Sequence, residues 1–284
     1  MAAEPWNPTT LGGADRSDPL QRAMFALDNQ RPQEAQRIAD EILKTDPQHA
    51  QALRVRGCAL MMQGRAVDAV APLKSAARKL RHPETDTLLA IALRQIGRNE
   101  DALSRLERAT KWRPPFGAAF HELGFLLFTM ERYDKAIETL RRGVELVPMM
   151  PELSTLLGNV FLECRNFADA KTNFARALDI SPALSDAVYG LAMAHWQLCE
   201  YRPAADLFRR YLMRNPDDVS GWLNLGHCLL ELGQSDAGYD CFRTAARGDR
   251  KRYGSALASL VNSGRSRFWL KPSAAERFLR DQKD

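Results

Sequence analysis

This chain has few of the features that carry chemistry in a sequence. Its five cysteines (Cys58, Cys164, Cys199, Cys228 and Cys241) are scattered, and no two stand in C-x-x-C spacing. An odd, dispersed set does not build a disulfide framework, and a reducing compartment suits it best. No apolar run approaches the ~18 residues of a membrane span, so no membrane partner is expected. A G-x-x-x-x-G-K-[ST] phosphate loop, a G-x-G-x-x-G turn, H-E-x-x-H and G-x-S-x-G are all missing. No segment reads as a βαβ unit. The chain is therefore expected not to be an enzyme. His195 and Cys199, four apart in "HWQLC", could share a helix face. A metal site needs more ligands than that pair, and none stands nearby, so no metal or other cofactor is expected. The first residues, "MAAEPWNPTTLGGADRSDP", lack both the basic and the apolar region of a secretory signal. Residues 1–16 read as a disordered segment and the protein as cytoplasmic.

What is present is ordinary for a folded chain: 284 residues, 45% apolar and 26% charged, with a net charge of +5. The charge is unevenly placed. From Arg243 to Asp284 there are eleven Lys/Arg against four Asp/Glu, a surplus larger than that of the whole chain. Such an end is either a solvated surface or a site for an acidic partner.

The informative feature is repetition. Ala35, Ala69, Ala102, Ala136, Ala170 and Ala204 recur at 34 residues, with a single step of 33 between Ala69 and Ala102. Ala23, Gly57, Ala90, Gly124, Gly158, Ala192 and Gly226 form a second series with the same steps, and Pro114, Pro148, Pro182 and Pro216 a third. Each unit reads as two helices. In the first, apolar residues recur at helical spacing, as in Phe120, Leu123 and Leu127 or Trp222, Leu225 and Leu229. A Gly inside a helix costs about 1 kcal/mol relative to Ala, so Gly124 and Gly226 imply a neighbour too close for a β-carbon. "QGR", "IGR" and "LGQ" supply a turn. Pro then closes the unit, because it cannot continue a helix.

This pattern resembles the tetratricopeptide repeat (TPR) family, whose helix–turn–helix unit has 34 residues. Gly117–Met150 matches best, with Phe120, Leu123, Gly124, Leu127, Ala136, Leu140, Gly143 and Pro148 at the pattern positions. Seven repeats fall at about 16–49, 50–82, 83–116, 117–150, 151–184, 185–218 and 219–252. The resemblance implies an all-α, right-handed superhelical solenoid with its first helices lining a concave groove. Residues 253–284 would cap its end. There, Tyr253, Ala256, Leu257, Leu260 and Val261 share one helix face, and Ser273 and Glu276 have capping-box spacing before a short helix from about Ala274 to Arg280. Phe268 and Trp269 are expected either to pack on the last repeats or to dock on a partner.

The resemblance further implies a non-catalytic scaffold or adaptor that holds a peptide or helix of another protein in the groove. Carried over by register, the ligand positions include Arg54 and Met61 in the second repeat and Arg94 in the third. They continue with His121, Phe125 and Phe128, then Asn159 and Leu162, then Tyr189, Met193 and Trp196, and last His227. Exposed apolar side chains in a groove mark a binding surface, and Arg54 and Arg94 would orient a ligand carboxylate. The Lys/Asn/Asn/Lys/Arg clamp of one family branch is missing. The alternatives are an accessory arm acting in trans for a glycosyl- or sulfotransferase, or self-association. RNA-reading repeats need matching polar triplets in each unit. None occurs here, so nucleic acid is not expected.

Overall fold

The computed structural model describes residues 18–247, 250–265 and 271–280. The segment expected to be disordered lies outside these residues, as do Phe268 and Trp269. The described residues form sixteen α-helices and no strand, an all-α helical-repeat architecture. The chain divides into two compact units, Met1–Lys135 and Ala136–Asp284.

The first unit contains α1 (Pro19–Asp28), α2 (Pro32–Thr45), α3 (Ala50–Met62), α4 (Ala66–Leu80), α5 (Pro83–Gln95), α6 (Asn99–Ala109) and α7 (Gly117–Thr129). Helix α8 (Tyr133–Leu146) leads into the second. There follow α9 (Pro151–Glu163), α10 (Phe167–Ile180), α11 (Ser185–Gln197), α12 (Tyr201–Leu212), α13 (Val219–Glu231), α14 (Ser235–Ala246), α15 (Arg250–Asn262) and α16 (Pro272–Arg280). In each unit a first helix packs on the second helix of its own hairpin, and that second helix packs on the next first helix.

The alanine series marks the inward side of the second helices. Ala35, Ala69, Ala102, Ala136, Ala170 and Ala204 are all fully buried. A large apolar residue stands four positions after five of them, as Leu73, Leu106, Leu140, Phe174 and Phe208, and each is at most 1% exposed. Spacing of four puts both side chains on one helix face. The glycine series faces these large residues. A β-carbon on Gly57 would lie 2.4 Å from Leu73 Cγ, and one on Gly158 would lie 2.8 Å from the Phe174 ring. Gly190, from the next first helix, leaves the same ring only 2.3 Å from a β-carbon. Phe174 thus sits in a slot between two glycines.

All seven hairpin turns use one backbone device. Gln30, Gly64, Gly97, Glu131, Arg165, Cys199 and Gly233 have φ between 55° and 80°, in the left-handed region. The following amide reaches back to the carbonyl five residues earlier, as Arg65 N–H to Leu60 C=O at 2.9 Å and Arg132 N–H to Leu127 C=O at 2.9 Å. This is the Schellman closure, which satisfies carbonyls orphaned at a helix end. Only three of the seven turns have the glycine that such a backbone favours.

At the C-terminal end, α15 packs on α13 and α14, and α16 on α14 and α15. Leu230, Tyr239 and Phe242 are covered there by Ala256, Leu260, Ala275 and Leu279. Ala275 and Leu279 have the same spacing of four as the pairs in the earlier second helices. Helix α16 begins at Pro272 rather than Ala274. The amides of Ala274 and Ala275 bond to the Lys271 carbonyl at 2.9 and 3.2 Å. Proline is pre-shaped for the first helical position, and that preference outweighs the Ser273 capping box.

Candidate functional site

Within the first unit, α1, α3, α5 and α7 touch one another in succession, while α2, α4 and α6 stand further apart. The first helices therefore form the closer-packed, inner row. In the second unit α9 touches α11 in the same way.

In the first unit the inner row carries paired charges. Arg54, on α3, is largely buried and donates to Glu84 at the start of α5 at 2.8 Å and to Gln51 at 3.0 Å. Arg94, on α5, lies 3.4 Å from Glu122 on α7, with its guanidinium 4.8 Å above the Phe125 ring. His121 approaches the same carboxylate at 3.6 Å. Burial alone would raise the Glu122 pKa, but the neighbouring His121 and Arg94 outweigh it and hold the carboxyl below its usual range. Both arginines thus already have a carboxylate within the chain. Those partners were not foreseen, because they come from residues 28 and 30 positions away on the next first helix. No within-helix spacing signals them. Phe125 and Phe128 are half-buried, and Phe128 stands 6.0 Å from Tyr133 between ring centres. Met61 is half-buried too.

In the second unit the corresponding surface of α11 is aromatic. Tyr189, Met193 and Trp196 follow i, i+4, i+7 on α11, half-buried against the α12–α13 core. The Tyr189 ring contacts Phe208 edge-on at 5.7 Å and Tyr211 at 5.0 Å. Its hydroxyl accepts from Asn224 Nδ2 at 2.9 Å, and the same amide lies 3.4 Å from Met193 Sδ. Asn159 and Leu162 on α9 are half-buried, and Asn159 has no hydrogen-bonding side-chain partner among the described residues. His227, on α13, meets Phe242 edge-on at 5.1 Å, and burial lowers its pKa. Three further residues of the first helices are not open. Thr87 and Thr155 are buried and bond back to the Pro83 and Pro151 carbonyls, and Leu230 is buried against the terminal hairpin.

The chemistry of catalysis finds little footing. Burial pushes the Cys58 and Cys241 thiols up to about 11 and that of Cys228 to about 12. They are poor nucleophiles and poor metal ligands near neutral pH. His195 Nδ1 is engaged by Glu200, which also binds Lys171 at 2.9 Å, and Cys199 forms the left-handed turn residue. No cluster of three or more His, Cys, Asp or Glu fit for a metal exists among the described residues. One buried acid was missed at the sequence level. Asp86, at the start of α5, is 1% exposed and held by Arg108 and by Arg105 at 3.5 Å, both from α6. This is an internal tie within one hairpin. No described helix is long and apolar enough to cross a membrane.

Comparison with known proteins bears on this architecture. One family model, described as tetratricopeptide repeat, matches residues 20–81, 87–151 and 121–185. Two further models of the same description match 161–222 and 219–251. The Small glutamine-rich tetratricopeptide repeat-containing protein 2 of Mycosarcoma maydis is 31% identical over 108 residues, 38% of this chain. Human Protein O-mannosyl-transferase TMTC3 is 30% identical over 133 residues, 45% of this chain. The chain spans only 28% and 14% of the lengths of these two relatives. Among solved structures, the APC/C hetero-tetramer Cut9-Hcn1 aligns with a TM-score of 0.65 at 14% identity, over 94% of this chain and 49% of that one. PilF of Pseudomonas aeruginosa aligns with a TM-score of 0.63 at 19% identity, over 74% and 96%. These two likenesses speak for the fold alone. The seven left-handed turns, the paired alanine and glycine series and the matched segments, which cover well over half of the residues, lead to one conclusion: the chain belongs to the tetratricopeptide repeat family.

Proposed function

We propose that this protein is a non-catalytic scaffold that captures a peptide or helix of another protein on the inner face of its first helices. Tetratricopeptide repeat proteins are in general scaffolds for protein–protein interaction, and the finer reading rests on one observation. The hairpin cores are already filled by residues such as Phe174, Phe208 and Leu225, yet His121, Phe125 and Phe128 on α7, and Tyr189, Met193 and Trp196 on α11, remain only half-buried at equivalent positions. Aromatic side chains at such places supply contact area with few torsions to freeze, and Met adapts its shape to a partner. The face in the first unit would take a ligand past the Arg54–Glu84 and Arg94–Glu122 pairs. Any carboxylate it carries must compete with those internal partners. The face in the second unit would favour an apolar or aromatic segment.

The match to an O-mannosyl-transferase favours a second reading, an accessory arm that works in trans with an enzyme. In that case the same face would hold the enzyme.

Affinity capture from a lysate, with identification of the bound protein, tests the first reading. The Phe125→Ala/Phe128→Ala and Tyr189→Ala/Trp196→Ala pairs are captured in parallel. At least one pair should weaken the identified partner by about 2 kcal/mol or more, roughly thirtyfold, at unchanged helix content. Capture that survives both pairs sinks the inner-face reading. A captured transferase supports the second.

A further inference from the structure

The basic character of the C-terminal end is unused by the inner face, and the structure shows where it gathers. Three contacts tie the last helices together at one place. The Arg243 guanidinium lies 4.0 Å above the Phe278 ring, Tyr239 meets that ring edge-on at 5.5 Å, and the Tyr253 hydroxyl donates to the Glu276 carbonyl at 2.9 Å. Basic residues flank these contacts in sequence. Arg247 follows Arg243 by one helical turn, Lys251 and Arg252 precede Tyr253, and Arg277 lies between Glu276 and Phe278. Among the described residues, acidic side chains offset few of them. Arg243 pairs with Asp240 at 3.2 Å and Arg280 with Glu276 at 3.6 Å. Arg247, Lys251 and Arg277 are exposed and have no ion pair among the described residues.

We propose that this terminal hairpin is a second docking surface and that its partner is an acidic segment of a protein. Uncompensated like charges repel one another, and an anion that bridges them removes that cost. The cluster is rich in arginine, whose planar fork matches a carboxylate. Two other anionic partners fit less well. A membrane surface calls for apolar side chains to insert beside the charges. Among the described residues, the exposed large apolar ones, Phe25, Met62, Val67, Leu146, Met149 and Met213, all belong to earlier hairpins. Single-stranded nucleic acid calls for free aromatic faces on which bases stack. Here Phe278 and Tyr253 are half-buried and engaged with their own chain.

The test is fluorescence anisotropy of a labelled oligoglutamate peptide titrated with the full chain. At about 0.01 M salt, where screening reaches only beyond about 30 Å, binding is expected. At about 1 M salt it should vanish. Charge reversal by Lys251→Glu/Arg277→Glu should weaken it at least about tenfold. Both side chains are exposed, so the melting temperature and inner-face capture should stay unchanged. If the pair lowers the melting temperature, Arg247→Glu alone provides the same comparison. No binding to the wild type at low salt overturns the proposal, and so does equal binding by a folded reversal variant. Tighter binding of an oligouridylate of equal charge, or of phosphatidylserine vesicles, also overturns it and assigns the surface to that partner. Failure of inner-face capture leaves this result untouched, so the two readings fall separately.

Discussion

A left-handed backbone costs a side-chain-bearing residue roughly 1–2 kcal/mol, whereas glycine pays about 0.5–1 kcal/mol for its freedom in the unfolded chain. Glu131 bears the first cost at φ 57°, and Gly97 avoids it at φ 80° in an equivalent turn. A β-carbon on Gly97 would meet nothing within 4 Å, so its replacement isolates the backbone contribution. Glu131→Gly should gain about 0.5–1 kcal/mol and Gly97→Ala should lose about 1 kcal/mol in urea unfolding. Equal midpoints for both variants and the wild type would refute the strain. Gly190 is the contrasting case, because there the cost is steric. Gly190→Ala should destabilise by about 1–3 kcal/mol through overpacking on Phe174, and Phe174→Leu should recover part of that loss in the double variant. His227 adds a pH term. Burial puts its folded pKa below the ordinary 6.5, so protons favour the unfolded chain. Its contribution is complete above pH 6.5 and is lost as pH falls through the lowered folded value. His227→Gln should therefore flatten the fall in urea midpoint between about pH 7.5 and about pH 5.5. A slope identical to that of the wild type would remove His227 from the account.

Helices in a repeat chain bury one side against their own partner and another against the next hairpin, so an end hairpin leaves a face to be covered. Helices α15 and α16 cover Leu230, Tyr239 and Phe242. A chain that stops after Ala246 should expose these residues and self-associate, which sedimentation would detect. A monomer as stable as the full chain would show that the cover is dispensable. Helix positions were largely legible in the sequence. An alanine and a large residue four apart leave one register for each second helix, and their complete burial bears this out at Ala170–Phe174 and Ala204–Phe208. Two features were not legible. Four of the seven left-handed turns lack glycine, since the closing hydrogen bonds from the next residue hold the backbone regardless of residue type. The start of α16 was misread because Ser273 and Glu276 offered a capping box where Pro272 took the first helical position.

Across the whole molecule, polar partnerships between hairpins were the least legible. Arg54–Glu84 and Arg94–Glu122 join consecutive first helices, and helical periodicity is silent about side chains on different helices. The inner-face residues follow a register that can be read off one repeat, but whether each is open depends on what the next hairpin places beside it. Leu230 is closed on that account, while Phe125, Phe128, Met193 and Trp196 stay half-open. The proposed functions use separate surfaces, a neutral or charge-paired inner face and a basic end. Salt should therefore discriminate between them, because only the second depends on unscreened charge.

Chains built from look-alike units face a problem of identity. Any second helix could try to settle against any first helix, and mispairing between similar units is a characteristic failure of repeat proteins. The Phe174 slot answers this at one junction. Its ring requires Gly158 on one side and Gly190 on the other. At the position of Gly190 the other repeats carry residues such as Leu88, Glu122, Leu156 and Asn224. Phe208 holds the equivalent place on α12 and is just as fully buried, but among Ala192, Leu225 and Leu229, so the two phenylalanine junctions differ in what surrounds the ring. The two glycines thus give the junction of α10 and α11 a fit of its own, distinct from the one at Phe208.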